Sequence, residues 1–540
     1  MTGLRSIRTY GLVLSLAVVC LLARYVIGRA AAPTLADRVQ AIISRPEFRH
    51  AMFGMEFYSL NRRETVFALN SDKLFVPAST TKLLTEGAAL ELLGPEFRFH
   101  TRVYRTGPVS ADGTLRGDVV LVASGDPNLS GRIRPDGTLA FENVDHSYDG
   151  SPHTRAVPGD PLMVIRDLAR QIAARGVRRV EGRILVDKNL FGEGEKELGT
   201  DIVISPIVVN DNIVDVTVSP GGGIGAPVRT AVSPQTSYVR FDVRAKTSEK
   251  GSRPKISWEN PITHPDGTLT VTLAGNMPLG APSTLFAYPV PEPHRFAEVV
   301  LEVALRENGI ALNPSTGRAK TDFKAFFPAY VQENLLAEHV SPPLKEEVKV
   351  TLKVSQNLHA GIVPYLLGAL LAPQVKELPQ AGFDVERQLL QSAGLDLSGA
   401  SQSDGAGGDP AGCYTPAFMV RYLELMAQQR NFPVFLNALP ILGRDGTLWN
   451  IQPDSPAAGH VQAKTGTLYY YDALNCRLMV TAKGLAGYIT TPKGKRWAFA
   501  AYANRVSVPD EEEAISKIVG QAMGEIANAG YLAAVESEEE

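Results

Sequence analysis

A serine and a lysine one helical turn apart are the residues best suited to chemistry in this chain. They are Ser79 and Lys82, within the run from Phe75 to Glu86. Pro77 precedes good helix formers that continue to about Leu93, so we expect Ser79 in a helix's first turn with Lys82 on the same face. A serine attacks well when a nearby base takes its proton, and burial or a second cation can make a lysine that base.

The Ser-x-x-Lys spacing is weak evidence by itself, because a chain of this length shows it by chance. A second instance, Ser252 to Lys255, contains Pro254, which opposes the helix that would bring the two side chains together. For Ser79 taken alone, an ordinary helix start remains the alternative interpretation.

A second polar pair, Ser355 and Asn357, lies near a predicted helix break. A serine and an amide two residues apart can face one cleft there, although a polar capping pair is the alternative. We interpret the nearby His359 as a partnered polar residue rather than as a base.

A third group begins a predicted strand after a loop rich in Pro, Ala and Gly. Lys464 supplies a cation, Thr465 supplies a hydroxyl, and Gly466 lets a substrate lie against the strand edge. The backbone N–H of Thr467, together with that of Ser79, could form an oxyanion hole.

Composition excludes several other classes of function. The 44% hydrophobic and 21% charged content is that of a globular protein, and the net charge of −3 gives no field for nucleic acid. The three cysteines (Cys20, Cys413 and Cys476) form no ligand cluster, and no His-Glu-x-x-His motif is present. We therefore expect no metal and no nucleic-acid partner.

The N-terminus predicts export. Arg5 and Arg8 precede an apolar run from Gly11 to Ala23, and small residues follow. The run is short for a membrane span, but its continuation through residues 25–27 leaves an uncleaved anchor open. Export to the periplasm or cell envelope would place Cys413 and Cys476 where disulfides can form, and whether they pair stays open.

Hydrophobic periodicity predicts the elements that position these residues. A helix over Leu35–Ile43, a hairpin of strands at 51–60 and 65–69, and the Ser79 helix indicate a sheet covered by helices. Short β-rich runs then extend from about Phe97 to Ala287, interrupted by one helix at 161–175 and by a polar loop at 131–158 that we expect to be mobile. Later elements are helices at 293–308, 341–371 and 510–527, and strands at 461–468, 474–481 and 496–502.

The three motifs occur in a fixed order that is characteristic of the penicillin-recognising serine enzymes. The chain resembles one branch, the low-molecular-mass class C penicillin-binding proteins, which are D-alanyl-D-alanine carboxypeptidase/endopeptidases. The resemblance runs from about Ala36 to Asn504 and includes the long insertion between Ser79 and Ser355. It also includes Gly125-Asp-Pro, Val340-Ser-Pro-Pro-Leu, Ser403-Asp-Gly-Ala-Gly, Leu439-Pro through Asp445-Gly-Thr-Leu, Ala463-Lys-Thr-Gly-Thr-Leu and Gly487-Tyr.

The resemblance implies roles for these residues. Ser79 would attack the carbonyl of a D-alanyl-D-alanine bond, with Lys82 as its base and Lys464 helping to hold that base neutral. Ser355 would relay a proton to the leaving amine, and Asn357 would bind the acyl-side amide.

The remaining implied roles concern the substrate carboxylate and the oxyanion. Lys464 and Thr465 would hold the terminal carboxylate, and the amides of Ser79 and Thr467 would hold the oxyanion. Substrates would be peptidoglycan peptides, β-lactams would trap the serine, and no cofactor is needed. Peripheral membrane association and a homodimer stay open.

The implied fold is α+β, a β-lactamase/transpeptidase-like penicillin-binding domain with a β-rich insertion. We divide the chain into a signal or anchor (1–32), a discontinuous peptidase domain (33–96 and 288–535), an insertion of two modules (97–287) and an acidic tail (536–540).

Three positions depart from the family's pattern. Gly361 stands where an acid usually follows alanine, Trp449-Asn-Ile where an arginine is usual, and Gly408-Asp-Pro where Leu-Ser is usual. These departures leave substrate preference and rate open. A β-lactamase and an exported cell-wall-binding protein with little turnover are the alternative functions.

Overall fold

The computed structural model describes residues 33–313, 321–511 and 513–538. The predicted signal or anchor over residues 1–32 lies outside the described residues. Within the described ranges, no helix combines the length and the apolar character that crossing a membrane requires. Cys413 and Cys476 are both free thiols.

The helices agree with the predicted periodicity except for three, at Leu378–Ser392, Pro416–Gln428 and Phe432–Ala438, which the sequence analysis does not predict. In chain order within the described ranges, the α-helices are α1 (Leu35–Ile43), α2 (Lys82–Leu93), α3 (Met163–Ala174), α4 (Pro293–Glu307), α5 (Leu344–Val354), α6 (Asn357–Leu371), α7 (Leu378–Ser392), α8 (Pro416–Gln428), α9 (Phe432–Ala438) and α10 (Gln521–Glu536). A 3-10 turn, Ala78–Thr81, leads into α2, and a π-helical turn, Ile515–Gly520, leads into α10.

The strands of the described ranges form several separate sheets. They are β1 (Met52–Ser59), β2 (Glu64–Leu69), β3 (His100–Arg105), β4 (Thr114–Leu115), β5 (Val119–Val122), β6 (Arg179–Val180), β7 (Ile184–Asp187), β8 (Ile213–Ser219), β9 (Arg229–Ser233), β10 (Val239–Val243), β11 (Lys246–Ser248), β12 (Lys255–Thr263), β13 (Leu269–Pro278), β14 (Thr284–Pro289), β15 (Ala311–Leu312), β16 (Leu335–Val340), β17 (Ala400–Ser401), β18 (Cys413–Tyr414), β19 (Val461–Asp472), β20 (Arg477–Thr490), β21 (Arg496–Asn504) and β22 (Val506–Pro509).

One six-stranded antiparallel sheet carries the predicted catalytic strand. Its order is β19-β20-β21-β1-β2, and β22 pairs with β20. The first strand of the chain pairs with one of the last along its whole length, from Met52 opposite Asn504 to Ser59 opposite Trp497. The two ends of the chain therefore build this sheet together, and the predicted α+β arrangement is confirmed.

Helices cover both faces of this sheet. On one face α1 and α10 pack against a core that includes Phe57, which stacks on Phe499 with ring centroids 5.4 Å apart. On the other face α2, α5, α6, α8 and α9 share a second core. Helix α10 extends beyond its predicted end at 527 because Tyr531 and Ala534 are buried against the sheet, and its last residue, Glu536, binds Arg38.

The inserted region forms its own sheets and cores. One hydrophobic cluster contains β3, β5 and β7 with α3 and α4, and a smaller one lies between β8, β13 and their neighbours. Helix α4 and strand β16, which follow residue 287, pack with the first of these clusters, and β16 pairs with β3. The domain boundaries stay a prediction, and this packing favours ending the insertion near residue 340.

The expectation of a mobile loop at 131–158 is wrong for its central residues. Arg132, Asp145 and His146 are all buried there. A polar, glycine-rich composition is typical of an exposed loop, but here the charges are paired with one another and with charges elsewhere, so burial leaves them compensated.

We expect Gly530→Ala to lower the free energy of unfolding by about 1–3 kcal/mol, because the added Cβ would lie 2.3 Å from Phe57 Cε1 in a packed core. Alanine's higher helix propensity, about 1 kcal/mol, opposes this loss without cancelling it. Urea denaturation followed by circular dichroism measures the change. Gly222→Ala, which meets open space, is the control. Equal denaturation midpoints for the two variants would contradict the packing described.

Candidate active site

Three elements meet at the cleft that holds the predicted residues. They are the turn Ala78–Thr81 that begins α2, the break between α5 and α6, and strand β19. Ser79 is half-buried in that turn, and Lys82 Nζ lies 2.9 Å from Ser79 Oγ. The one-turn spacing read from the sequence thus brings the hydroxyl and the amine into direct contact.

Lys82 is completely buried and has two further partners. Its Nζ donates to Asn357 Oδ1 at 2.6 Å and to the carbonyl of Ala406 at 2.7 Å. Burial lowers the pKa of Lys82 to about 8, although the negative charges of Glu197 and Asp404 oppose that shift. Desolvation is the dominant cause, since it penalises the charged form of an amine.

The Ala406 carbonyl is held in place by a carboxylate. Asp404 accepts hydrogen bonds from the backbone N–H groups of Ala406 at 2.7 Å, Gly407, Gly408 at 3.2 Å and Asp409 at 2.8 Å. The loop is thereby folded around one side chain, and its carbonyl faces the lysine. The family resemblance includes this segment, but its residue pattern alone does not indicate a role for it.

Ser355 occupies the break between α5 and α6 in a left-handed conformation, with φ 64° and ψ 35°. This conformation is costly for a residue other than glycine and is found where surrounding structure enforces it. Gln356 then begins α6, because its side chain accepts the N–H of Leu358 at 2.8 Å. Ser355 and Asn357 consequently both face the cleft.

Lys464 joins this break to strand β19. Its Nζ donates to Ser355 Oγ at 2.8 Å and to the Thr465 carbonyl at 2.8 Å, and the side chain is fully buried. Burial, followed by the charges of Lys82 and Lys483, holds the pKa of Lys464 well below its usual range. Burial and these two neighbouring charges therefore oppose the protonated form of the lysine that was predicted as a cation.

The neighbouring hydroxyls are also fixed. Thr465 Oγ1 lies 2.8 Å from Thr447 Oγ1. The loop bearing Thr447 is anchored by Asp445, whose carboxylate accepts from the buried Lys353 at 2.7 and 2.8 Å. Thr467 Oγ1 accepts from Lys483 Nζ at 2.7 Å.

Glycine is required at Gly466 by close approach to the Ser79 turn. A Cβ there would lie 2.4 Å from the Pro77 carbonyl oxygen and 3.1 Å from the Ser79 backbone nitrogen. Strand β19 and the serine turn are thus in backbone contact, as the proposed oxyanion hole requires.

A buried cluster of charges lies beneath the Ser355 break, and the sequence did not reveal it. Arg132 Nη2 binds Asp145 at 2.5 Å and Asp211 at 2.6 Å, and His146 Nε2 lies 2.7 Å from Asp211. All four side chains come from the insertion. Burial lowers the pKa of His146, but Asp215, Asp145 and Asp211 outweigh it and raise that pKa to about 10, with the charge of Asp215 the largest of the favourable causes.

This cluster reaches the catalytic segment through α6. The Gln356 amide donates to Asp145 at 3.1 Å, to Ser147 at 3.3 Å and to Asp211 at 3.4 Å. His359 Nε2 lies 2.9 Å from Asp211, in agreement with the prediction of a partnered polar residue. The insertion therefore supports the backbone that carries Ser355 and Asn357.

Within the described part of the chain, one group of side chains has its potential ligand atoms close enough together to hold a metal ion: Asp145, His146 and Asp211. The Arg132 guanidinium already lies between the two carboxylates. Because a protonated guanidinium compensates those charges, the arrangement fits an ion-pair network better than a metal site.

Two of the departures from the family pattern have structural correlates. Gly361 lines a cavity of about 1060 Å³ behind the Asp404 loop, together with Tyr365 and the buried Glu386, and a Cβ on Gly361 would meet only ordinary contacts. Burial raises the pKa of Glu386 to about 8. Trp449 makes an edge contact with His153 of the insertion, with ring centroids 5.8 Å apart.

Comparison with protein families gives one match along nearly the whole described chain. Residues 35–524 match the D-Ala-D-Ala carboxypeptidase 3 (S13) family. The chain is 26% identical to a D-alanyl-D-alanine carboxypeptidase of Actinomadura sp. (strain R39), over 88% of this chain and 82% of that protein. It is 24% identical to the D-alanyl-D-alanine carboxypeptidase DacB of Haemophilus influenzae, over 84% and 85% respectively.

Solved structures show the same fold. Penicillin-binding protein 4 of Haemophilus influenzae superposes with a TM-score of 0.67 at 20% identity, covering 91% of this chain and 99% of that one. The same protein in complex with a β-lactam gives a TM-score of 0.65 at 19% identity, covering 92% and 98%.

We expect acylation by penicillin to accelerate as pH rises and to level off above about pH 8. A lysine acting as the base must be neutral, so with Lys82 in that predicted role protonation below its pKa of about 8 would slow the reaction. Stopped-flow acylation rates between pH 6 and 9.5 measure this.

Lys483 is the matched control for this profile, because burial lowers its pKa to about 8 as well. Lys483→Gln should keep the midpoint, whereas Lys82→Arg should abolish acylation at every pH. A flat profile for the unaltered protein would contradict the assignment of Lys82 as base.

We expect Gln356→Met to lower kcat/KM roughly tenfold, because losing its amide bonds, about 1.4 kcal/mol of transition-state positioning, loosens the segment that carries Ser355 and Asn357. The pH midpoint should stay near 8, since Lys82 keeps its burial. Gln380→Met, which removes an exposed bond to Asp384, is the control. Equal kinetics for the two variants would refute a positioning role for Gln356.

Proposed function

The chain belongs to the D-Ala-D-Ala carboxypeptidase 3 (S13) family, and we propose that Ser79 is the nucleophile through which it cleaves peptides ending in D-Ala-D-Ala. It is a serine-type carboxypeptidase of that family. One observation carries the proposal: Lys82 donates to two oxygens, those of Asn357 and Ala406, while its nitrogen lies 2.9 Å from Ser79 Oγ.

The two donated bonds explain how Lys82 acts as a base. A neutral amine has two hydrogens and one lone pair, so directing both hydrogens at Asn357 and Ala406 turns the lone pair toward the Ser79 hydroxyl. With a pKa of about 8, roughly one tenth of Lys82 is neutral at pH 7. The pocket thus supplies a base already oriented for the hydroxyl proton.

Acylation follows from this arrangement. Ser79 Oγ attacks the carbonyl carbon of the scissile bond as Lys82 takes the hydroxyl proton. The developing oxyanion accepts hydrogen bonds from the amides of Ser79 and Thr467, whose strand contacts the serine turn through Gly466. The C–N bond then breaks, D-alanine leaves, and an acyl-serine ester remains on Ser79.

The leaving amine needs a proton, and Ser355 lies on the route. Ser355 Oγ is bound to Lys464 Nζ at 2.8 Å, so the hydroxyl can pass a proton to the amine and be resupplied by the lysine. Before deacylation Lys82 gives its proton to solvent, and Lys464 regains one from solvent. Water then attacks the ester as Lys82 takes a proton from it, and that proton returns to Ser79 Oγ when the acyl bond breaks and the shortened peptide is released.

Substrate binding would restore the charge of Lys464. A carboxylate beside it and Thr465 opposes the effect of burial, since an adjacent opposite charge favours the protonated amine. The terminal carboxylate would therefore bind together with a proton. This makes recognition selective for a free C-terminus, which is the chemistry of a carboxypeptidase.

The natural substrates that we propose are the stem peptides of peptidoglycan, with cross-linked peptides as substrates of an endopeptidase activity. β-Lactams would acylate Ser79, and the resulting acyl-enzyme would hydrolyse slowly. The structure of a related protein of Haemophilus influenzae has been solved in complex with a β-lactam. Export to the periplasm or cell envelope, as the N-terminal sequence predicts, would bring the chain to this polymer.

We expect Ser79→Ala to lose both fluorescent-penicillin labelling and D-alanine release from a peptide ending in D-Ala-D-Ala. Ser252→Ala is a matched control, since it alters the other Ser-x-x-Lys spacing of the chain. Labelling on a denaturing gel, mass mapping of the adduct and a coupled D-alanine assay measure the outcomes.

Absence of labelling on folded unaltered protein would refute the proposed nucleophile. Labelling at Ser79 without D-alanine release would instead favour a penicillin-binding protein with little turnover. Rapid hydrolysis of nitrocefin would favour a β-lactamase.

A further inference from the structure

An exposed aromatic surface continues the catalytic strand. Tyr469, Tyr470 and Tyr471 are 58%, 50% and 53% exposed, and Leu474 in the following turn is 90% exposed. We call these four residues the tyrosine ridge. Single exposed apolar residues are common, but consecutive exposed tyrosines beside a catalytic cleft indicate a binding surface.

The ridge lies on an open edge of the main sheet. From Lys464 onward, β19 pairs with β20 and with no other strand of the described ranges. Its register shifts between Leu468 and Tyr469, which marks a bulge immediately after the predicted substrate-binding residues. An extended substrate can therefore follow the strand past Thr467 and reach the ridge.

The proposed binding mode fixes the direction of the substrate. Its terminal carboxylate lies at Lys464 and Thr465, and its scissile carbonyl lies at the Thr467 amide. The rest of the acyl-side peptide must then run toward Tyr469 rather than away from it. The five strand residues from Thr467 to Tyr471 are separated by four steps and span about 13 Å, which is the length of a short extended stem peptide.

A stem peptide of peptidoglycan ends on a sugar of the glycan strand, so the ridge lies where the glycan would arrive. Tyrosine suits such a ligand because its ring packs on the apolar face of a pyranose while its hydroxyl stays hydrated. The charges near the ridge are balanced and do not favour an anionic membrane. Asp472, the last residue of β19, lies opposite Arg477, and Arg253, whose charge acts on the Tyr471 hydroxyl, is ion-paired with Asp510.

We propose that the tyrosine ridge stacks on sugar rings of the glycan strand to which the substrate peptide is attached. This inference rests on the proposed function, because the direction of the substrate comes from it. The ridge would strengthen the binding of polymeric substrate and contribute little to the binding of a short free peptide.

The direct test uses glycan strands from which an amidase has removed the peptides. Ser79→Ala protein should bind these strands, and the added changes Tyr469→Ala, Tyr470→Ala and Tyr471→Ala should weaken binding at least fivefold. Adding Phe327→Ala to Ser79→Ala provides the control, since Phe327 is an aromatic residue of similar exposure (52%) in another part of the chain. Circular dichroism checks the fold, and the single change Tyr470→Ala serves if the triple variant unfolds.

A kinetic test separates the ridge from the catalytic centre. With Ser79 intact, the variant in which all three tyrosines are changed to alanine should keep its kcat/KM for a short sugar-free peptide ending in D-Ala-D-Ala. Its kcat/KM for glycan-linked peptide should fall at least fivefold. Equal losses on both substrates, or no loss on either, would overturn the proposal. Loss of binding to anionic lipid vesicles with unchanged glycan binding would also overturn it, in favour of a membrane surface.

The two hypotheses fail in different ways. If the unaltered protein releases no D-alanine from any peptide, the proposed function fails while glycan binding stays measurable. If it cleaves short peptides but the ridge changes leave glycan binding intact, only the ridge proposal fails.

Discussion

The removal of one ammonium group from water is the constraint on which the site depends. Lys82 is buried among helices, and that burial brings its pKa within reach of neutral pH. A buried amine must also have partners, and Asn357 at the start of α6 and Ala406 in the Asp404 loop supply them. These two hydrogen bonds offset the cost of burying the amine and also orient its lone pair toward Ser79. One arrangement therefore serves both the stability of the fold and the reactivity of the lysine.

The insertion contributes more to this arrangement than its place in the sequence suggests. Its buried Asp211 is ion-paired with Arg132 and contacts the side chains of Gln356 and His359. The last two residues flank Asn357 in the sequence. Glu197, also from the insertion, lies near enough to influence the charge of Lys82. Breaking one pair of this buried network would leave a charge uncompensated, and that cost opposes movement of the segments the network joins.

The fold and the residues of the cleft were largely predictable, for physical reasons. Alternating apolar residues showed the strands, and the spacing from Ser79 to Lys82 follows the helical repeat, which local sequence controls. What was missed depends on distant pairing. Arg132 and Asp145 looked like parts of an exposed loop because their partners lie far along the chain, and the terminal helix ran longer than expected because its burial depends on a sheet surface assembled from both ends.

The pairing of β1 with β21 has a consequence for how the enzyme comes into being. Every candidate catalytic and substrate-binding residue precedes Leu468, yet the edge of β1 that does not pair with β2 has no partner strand until β21 is made. A chain emerging during synthesis would hold all its reactive groups before it could close the sheet that aligns them, and such long-range pairing is slow to form. The order of strands thus implies that these groups are aligned only after β21 has been synthesised and paired with β1.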